Sequence, residues 1–437
     1  MTPLNVLNEQ KPRQIAVRVL QQRRDNGEFT EDLLETTLSA AQLSSADRGL
    51  CQEIVYGAVR WQATLDWLIA RKTPGRVQKN PLQNILRLGL YQIFWLDRIP
   101  PHAAVHEMVE LAKEAGYVSQ AGFVNAVLRG YLREFAETKK LLSDLKESDP
   151  ALGYSQPGWL VEKWHKRWGE EMTAQLLAWN NTPPKTFARV NTLKTDATKL
   201  VEKWREENVE YDFVRHDWMD ENLVFELKSH PPLTSLASFR DGWFYIQDPS
   251  TLLAVRELDP QPGETILDLC AAPGGKAMFI AQLMNNQGRL VAQDMFPDRL
   301  KLIEENCRRL GVTCVETALN SQFAGGDSHF DRILVDAPCS NTGVMRRRVD
   351  LRWRILPQEI DRLRATQLDL LKKAALQLKP GGTLIYSTCS LELDENSQVM
   401  KQFLLEHPGF KLESEWELLP FVDEVDGAYV ARLKSST

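Results

Sequence analysis

The sequence predicts a multidomain chain: an all-α N-terminal bundle, a small α+β subdomain, and a C-terminal doubly wound α/β domain. Three observations carry this reading. Apolar stripes at helical spacing run from Lys11 to about Phe135. Short helix and strand signals then alternate over 195–245. From Thr265 onward strand-like apolar runs alternate with helical ones, the pattern of a sheet covered on both faces. At 437 residues the chain is too long for one ordinary core. The expected boundaries are 1–138 for the helical domain, 139–156 for a linker, 157–245 for the small subdomain and 246–437 for the C-terminal domain.

Composition narrows the class. Hydrophobic residues make up 43% and charged residues 26%, as in ordinary soluble proteins. Met1–Gly27 is polar, unlike a secretory leader, and no apolar run is long enough to span a bilayer, so a cytoplasmic protein with no membrane partner is expected. Six cysteines lacking C-x-x-C spacing read as free thiols, with no metal site. A net charge of -6 predicts no indiscriminate grip on nucleic acid, though a local basic face would be compatible with it.

In the helical domain, Ile15, Val19 and Leu20 open an apolar stripe that Leu33-Leu34 continue. The run Ile85–Leu96 is so apolar that it should form the central helix. Pro100-Pro101 breaks the pattern before Ala103–Ala112, and Phe123–Arg129 should be the last core helix. Arg13, Arg18, Arg23 and Arg24 form either a basic face or an ordinary solvated one. His102 and His106 share a helix face without a third ligand nearby, which suits surface packing better than metal.

Lys139 to Gly153 is charged and contains a proline, and it reads as linker. An amphipathic segment follows from Pro157 to about Trp179. Phe187–Lys194 alternates as a strand, and Gly242–Pro249 is a short aromatic strand entering a turn, with Ser250 a candidate cap for the next helix.

The C-terminal domain opens on Thr265–Lys276, an apolar strand ending in small residues and paired glycines before a helix. Such a turn either cradles a cofactor or serves only the fold. Its spacing is neither G-x-G-x-x-G nor a phosphate loop. Arg289–Asp294 is a second strand whose terminal carboxylate either bonds a ribose diol or simply ends the strand. Val312–Thr317, Phe330–Asp336 and Thr383–Tyr386 are the next strands, with Lys379–Gly382 a turn, and Phe410–Leu419 and Ala428–Leu433 complete the sheet.

Cys339 and Cys389 follow two of these strands, where open α/β sheets bind ligands. Strand-end cysteines are often only small buried hydrophobes. As nucleophiles beside an adenosine-type cofactor, they would suit methylation of a pyrimidine carbon. C5 of cytosine accepts a methyl group once a thiolate has added at C6, and an acid such as Asp336 at the N3 edge would absorb the developing charge.

The ordered motifs resemble a known family. They are Leu269–Lys276, Asp336–Ser340 with Thr342-Gly343, Ser387–Ser390, Glu395-Asn396, Arg189–Lys194 and Gln247–Ser250. With Tyr56-Gly57, Pro101–Val105 and Asn125–Arg129 in the helical part, the chain is similar to the Sun (Fmu) family of 16S ribosomal RNA (cytosine-5)-methyltransferases, over nearly its whole length. The resemblance implies a NusB-like RNA-binding N-terminal domain, a small RNA-binding subdomain, and a Rossmann-like methyltransferase domain using S-adenosyl-L-methionine. It further implies Cys389 as the nucleophile at C6, Cys339 as the residue promoting product release, and Asp336 as a contact to base and cofactor. The implied cofactor-binding set is Cys270, Ala271, Ala272, Pro273, Gly274, Gly275, Lys276, Asp294, Arg299, Asn320 and Asp336.

The expected partner is 16S ribosomal RNA, naked or in a partly assembled small subunit, met by a monomer. Arg346, Arg347, Arg348, Arg352 and Arg354 should neutralise phosphates, with Trp353 packing nearby. Transfer RNA as substrate, or a noncatalytic role in ribosome assembly, are the competing readings. The chain departs from the family at Asn320, where an acidic residue is usual, and at Arg346–Asp350, Ser250–Leu252 and Gly427–Tyr429.

Overall fold

The computed structural model describes residues 11–319 and 330–436. Its contacts divide the chain into two units, one of Met1–Thr182 with Met345–Arg354, the other of Pro183–Val344 with Ile355–Thr437.

The first unit is helical and is built around Asn80–Trp95. Leu82, Ile85, Leu86, Leu88, Leu90, Ile93 and Phe94 are all buried, so this helix is apolar on nearly every side and takes neighbours all round. Helices Pro12–Asn26, Ser45–Arg60, Gln62–Lys72, Pro101–Glu114 and Ala121–Arg133 pack against it. The expected linker is instead helix: Phe135–Ser148 continues the bundle and the short helix Pro150–Gly153 follows. Its charge misled, because Lys and Glu are good helix formers and here work from the surface. The Lys139 ammonium lies over Phe135, and that of Lys146 over Tyr154. By contacts, helix Gly158–Trp179 groups with this unit.

The second unit holds two sheets. The smaller has the order β2-β3-β1-β4, formed by β1 (Thr186–Val190), β2 (Glu210–Phe213), β3 (Val224–Ser229) and β4 (Phe244–Ile246). Trp204, Phe225 and Phe244 fill its core. The larger sheet comprises β5 (Thr265–Leu269), β6 (Arg289–Asp294), β7 (Val315–Leu319), β8 (Phe330–Asp336), β9 (Leu378–Thr388), β10 (Phe410–Leu418) and β11 (Ala428–Ser435). Their order is β10-β11-β9-β8-β5-β6-β7. Strands β5 to β9 run parallel, and β11 pairs antiparallel with both neighbours. The order reverses between β5 and β8, so the switch point, where such sheets take ligands, lies at the C-terminal ends of these strands.

The expected turn at Lys379–Gly382 lies inside β9 as a bulge, across which the pairing with β8 moves from Phe330↔Leu378 to Arg332↔Thr383. Gly381 takes φ +70 there, which lets the strand bend without ending. Ser250 does not cap its helix. It is the first residue of that helix, and the Asp248 carboxylate accepts its N–H at 3.1 Å and the Asp426 N–H at 3.0 Å.

The motif Arg189–Lys194 joins the two sheets. Asn191 donates to the carbonyls of Gly242 at 2.7 Å and Leu310 at 2.8 Å, and accepts from Gln282 at 2.6 Å. Arg189 bonds Gln247 at 2.8 Å and also Gln282. Burial pushes its guanidinium down to about 9. These side chains fasten the small sheet to the helices beside β5 and β6.

Candidate active site

Strand β5 ends at Leu269, and Cys270 turns the chain at φ 62. The Ala271 N–H donates to the Gln293 carbonyl at 2.8 Å, and Gly274, at φ +103, leads into helix Gly275–Leu283. Only glycine adopts that backbone without strain. Gly275 opens the helix against Gln247 and Tyr245. The Cys270 thiol is pushed up to about 12 by burial and then by Asp336, Asp294 and Asp268, which makes it a poor nucleophile.

On the far side of the loop, Asp294 ends β6 with its carboxylate buried. It accepts the N–H groups of Ala272 at 3.3 Å and Phe296 at 3.2 Å, and pairs with Arg299 at 3.1 Å. Arg299 in turn donates to the Ala272 carbonyl at 2.7 Å. Both residues therefore shape the loop Cys270–Pro273. Asn320 lies outside the described residues.

Register explains how the thiols meet. Parallel pairing aligns Asp336 of β8 with Ser387 of β9. The chain then continues three residues to Cys339 and two to Cys389, and the two Sγ atoms stand 3.4 Å apart. Cys339 is buried and Cys389 half-buried. The Cys339 thiol is held well above its ordinary range by its hydrogen bond to Cys389 and then by burial.

Asp336 ends β8, the strand that leads to Cys339. Its Oδ2 accepts from Lys276 Nζ at 2.7 Å, and the Lys276 side chain is 14% exposed. Burial would lower the ammonium, but Asp336, with smaller help from Cys389 and Asp268, raises it overall. Lys276 is thus a fixed positive charge beside both the acid and the candidate nucleophile.

Sequence reasoning marked Glu395-Asn396 as a motif but assigned no role to the layer behind the thiols. Glu395 is fully buried and accepts the Ser340 N–H at 2.8 Å, Gln367 Nε2 at 3.0 Å, the Ser390 hydroxyl at 2.6 Å and the Ser340 hydroxyl. Ser340 follows Cys339 and Ser390 follows Cys389, so one carboxylate ties both cysteine loops together. Asn396 closes the second loop, accepting from Thr388 at 2.6 Å and donating to the Ser390 carbonyl at 2.8 Å. A buried Glu-Asn pair after a cysteine motif was the available signal. Asp268 was missed too: it is 1% exposed and, among the described residues, neither carboxylate oxygen has a hydrogen-bond partner. Burial, then Asp336, raises its pKa well above the usual carboxylate range.

The basic run requires a correction. Arg346 and Arg352 are buried within the helical unit, only 2% and 1% exposed. Arg352 donates to the carbonyls of Arg60 at 3.1 Å and Asn180 at 3.0 Å, and to Asn181 Oδ1 at 2.8 Å. Arg346 stacks on Trp179, and Trp353 Nε1 donates to the Val59 carbonyl at 2.7 Å. Arg354 donates to the carbonyls of Gly27, at 2.7 Å, and Glu28. Asp350 accepts the Thr30 N–H at 2.6 Å and pairs with Arg23. Guanidiniums with buried carbonyl partners are unavailable to phosphates, and Arg348 is the exposed member of the run. Near the N-terminus, Arg13 is likewise engaged, donating to Gln92 at 2.8 Å.

Comparison with known family models and relatives places the chain among methyltransferases. The model described as 16S rRNA methyltransferase RsmB/F matches residues 255–434, the NusB family model matches 10–133, and an RsmF/B-like ferredoxin-like domain matches 156–230. The chain is 38% identical over 405 residues to the probable ribosomal RNA small subunit methyltransferase B of Bacillus subtilis, covering 91% of this chain and 89% of that one. It is 36% identical to the corresponding Synechocystis protein, over 97% and 99% of the two chains. A solved methyltransferase homolog from Pyrococcus horikoshii superposes with a TM-score of 0.58 at 31% identity, over 66% of this chain and 98% of that chain. The chain belongs to the RsmB/F family of 16S rRNA methyltransferases.

Proposed function

We propose that the chain transfers a methyl group from S-adenosyl-L-methionine to C5 of a cytosine in 16S ribosomal RNA through a covalent adduct at C6. The observation that carries this is the pair of thiols 3.4 Å apart beside the Lys276–Asp336 ion pair. Bound in the cradle, the cofactor would supply a methyl group activated by a sulfonium charge. The residues present suit it. Asp268 offers an unpaired carboxyl to an ammonium or N–H group, and the turn at Gly274 exposes backbone at the switch point. Cys270–Lys276, Asp294, Arg299 and Asp336 would surround it.

The target cytosine must leave its stack to reach the thiols. Cys389 gives up its thiol proton and adds at C6, forming a C–S bond as the C5–C6 π bond opens. Asp336, held by Lys276, relays a proton to N3 that neutralises the developing negative charge and leaves again on elimination. C5 becomes nucleophilic, takes the methyl group and then loses its proton to a base. The C–S bond breaks and the electron pair returns to the Cys389 sulfur. Cys339, in contact with that sulfur, assists the elimination.

The test uses radiolabelled cofactor, 16S rRNA and denaturing gels. Cys339→Ala should accumulate a covalent protein–RNA band, and Cys389→Ala should form none. Exchanged outcomes would refute the assignment. Bisulfite mapping locates the modified base, and transfer of label to transfer RNA instead would redirect the substrate while keeping the chemistry.

A further inference from the structure

We propose that Asn341 is a positioning residue of the reacting centre, whose carboxamide accepts the Cys389 S–H and holds the sulfur in place until substrate arrives. This rests on the reading of Cys389 as the nucleophile. Asn341 follows the Cys339-Ser340 pair with φ 59, a left-handed conformation that Asn tolerates better than most residues. Its Nδ2 donates to the Cys339 carbonyl at 2.7 Å, and its Oδ1 lies 3.0 Å from Cys389 Sγ. A carbonyl can only accept, so the nitrogen must face Cys339 and the oxygen must face the sulfur. An amide oxygen also only accepts, and the sulfur bonds it only as S–H. A thiolate there would meet a lone pair instead of a proton.

The backbone that carries this amide is itself pinned. The Val344 N–H donates to the Asn341 carbonyl at 3.1 Å, and the Gly343 N–H donates to that of Cys389 at 2.9 Å, so both ends of the contact belong to one hydrogen-bonded loop. The other titratable groups around Cys389 are the Cys339 thiol, Lys276 with Asp336, and Glu395 behind Ser390. The Lys276 charge attracts negative charge developing on the sulfur during attack, and the Asn341 oxygen repels it. An S–H engaged by the Asn341 oxygen is less free to react, which suppresses idle chemistry at Cys389.

The test is iodoacetamide alkylation of the full-length protein without RNA or cofactor, followed site by site by peptide mass spectrometry across a pH series. Buried Cys51 serves as internal reference. Asn341→Gly keeps the left-handed backbone and removes the acceptor, and should speed Cys389 alkylation at neutral pH about fivefold, the worth of one hydrogen bond. Asn341→Asp places a like charge beside the nascent thiolate and should slow it by about the same factor. A loop that was merely loosened would speed both variants. Both variants faster, or Asn341→Gly unchanged, overturns the proposal. Since no RNA enters the assay, its outcome is separate from that of the adduct experiment.

Discussion

Replacing Glu395 tests whether one buried carboxylate holds the two cysteine loops. In Glu395→Ala the Ser340 N–H loses its acceptor in a buried position, at a cost of about 1–3 kcal/mol. Gln367 Nε2 keeps the Pro338 carbonyl at 3.0 Å, and the Ser340 and Ser390 hydroxyls, 3.0 Å apart, keep one another. Loss of two buried side-chain carbons and the space they leave adds about 2 kcal/mol, for a total of roughly 3–5 kcal/mol. In a unit of this size that lowers Tm by roughly 6–20 °C, readable by calorimetry. Methyl transfer should fall at least about tenfold, as the thiols lose their mutual placement.

Glu395→Gln separates charge from shape. Burial raises the folded carboxyl above its ordinary value of 4.5, outweighing the hydrogen bonds that lower it. A group raised on folding binds more protons folded than unfolded, so stability falls as pH rises from 4.5 toward the raised value. The Gln variant lacks this slope. Its Tm should therefore gain on the wild type as pH rises through that window, while Glu395→Ala stays well below both. An Ala variant melting within about 2 °C of wild type would refute the reasoning.

Three further variants probe the basic run and the packing around Cys389. Arg352→Ala should lower stability by about 3–5 kcal/mol, because it strips charged donors from buried carbonyls, whereas Arg348→Ala should leave melting unchanged and reduce the salt dependence of RNA binding by about one phosphate contact. Unchanged melting of Arg352→Ala with weakened RNA binding would restore the phosphate role. Gly343→Ala would set a Cβ 2.7 Å from both the Cys389 carbonyl and Gly427 Cα, and since both are backbone the loop must shift. About 1–3 kcal/mol of stability and most methyl transfer should be lost, as measured by melting and label incorporation.

By itself the sequence determined the fold class, the strands of the large sheet, the central helix and the residues that bring two thiols to neighbouring strand ends. These are local signals: apolar period, glycine turns, and motifs read within a few residues of one another. Charge without register was the weaker guide. Lys139–Gly153 looked like linker and is helix, and Arg346 and Arg352 looked like a phosphate grip and are buried. A side chain's charge is local, but whether it meets water or a carbonyl from a distant segment is a property of the packing. The tertiary structure alone decided that Glu395 reaches both cysteine loops and that Asn341 lies between the Cys339 carbonyl and the Cys389 sulfur. Both depend on the pairing of β8 with β9, which aligns segments some 50 residues apart and leaves no periodic trace in either.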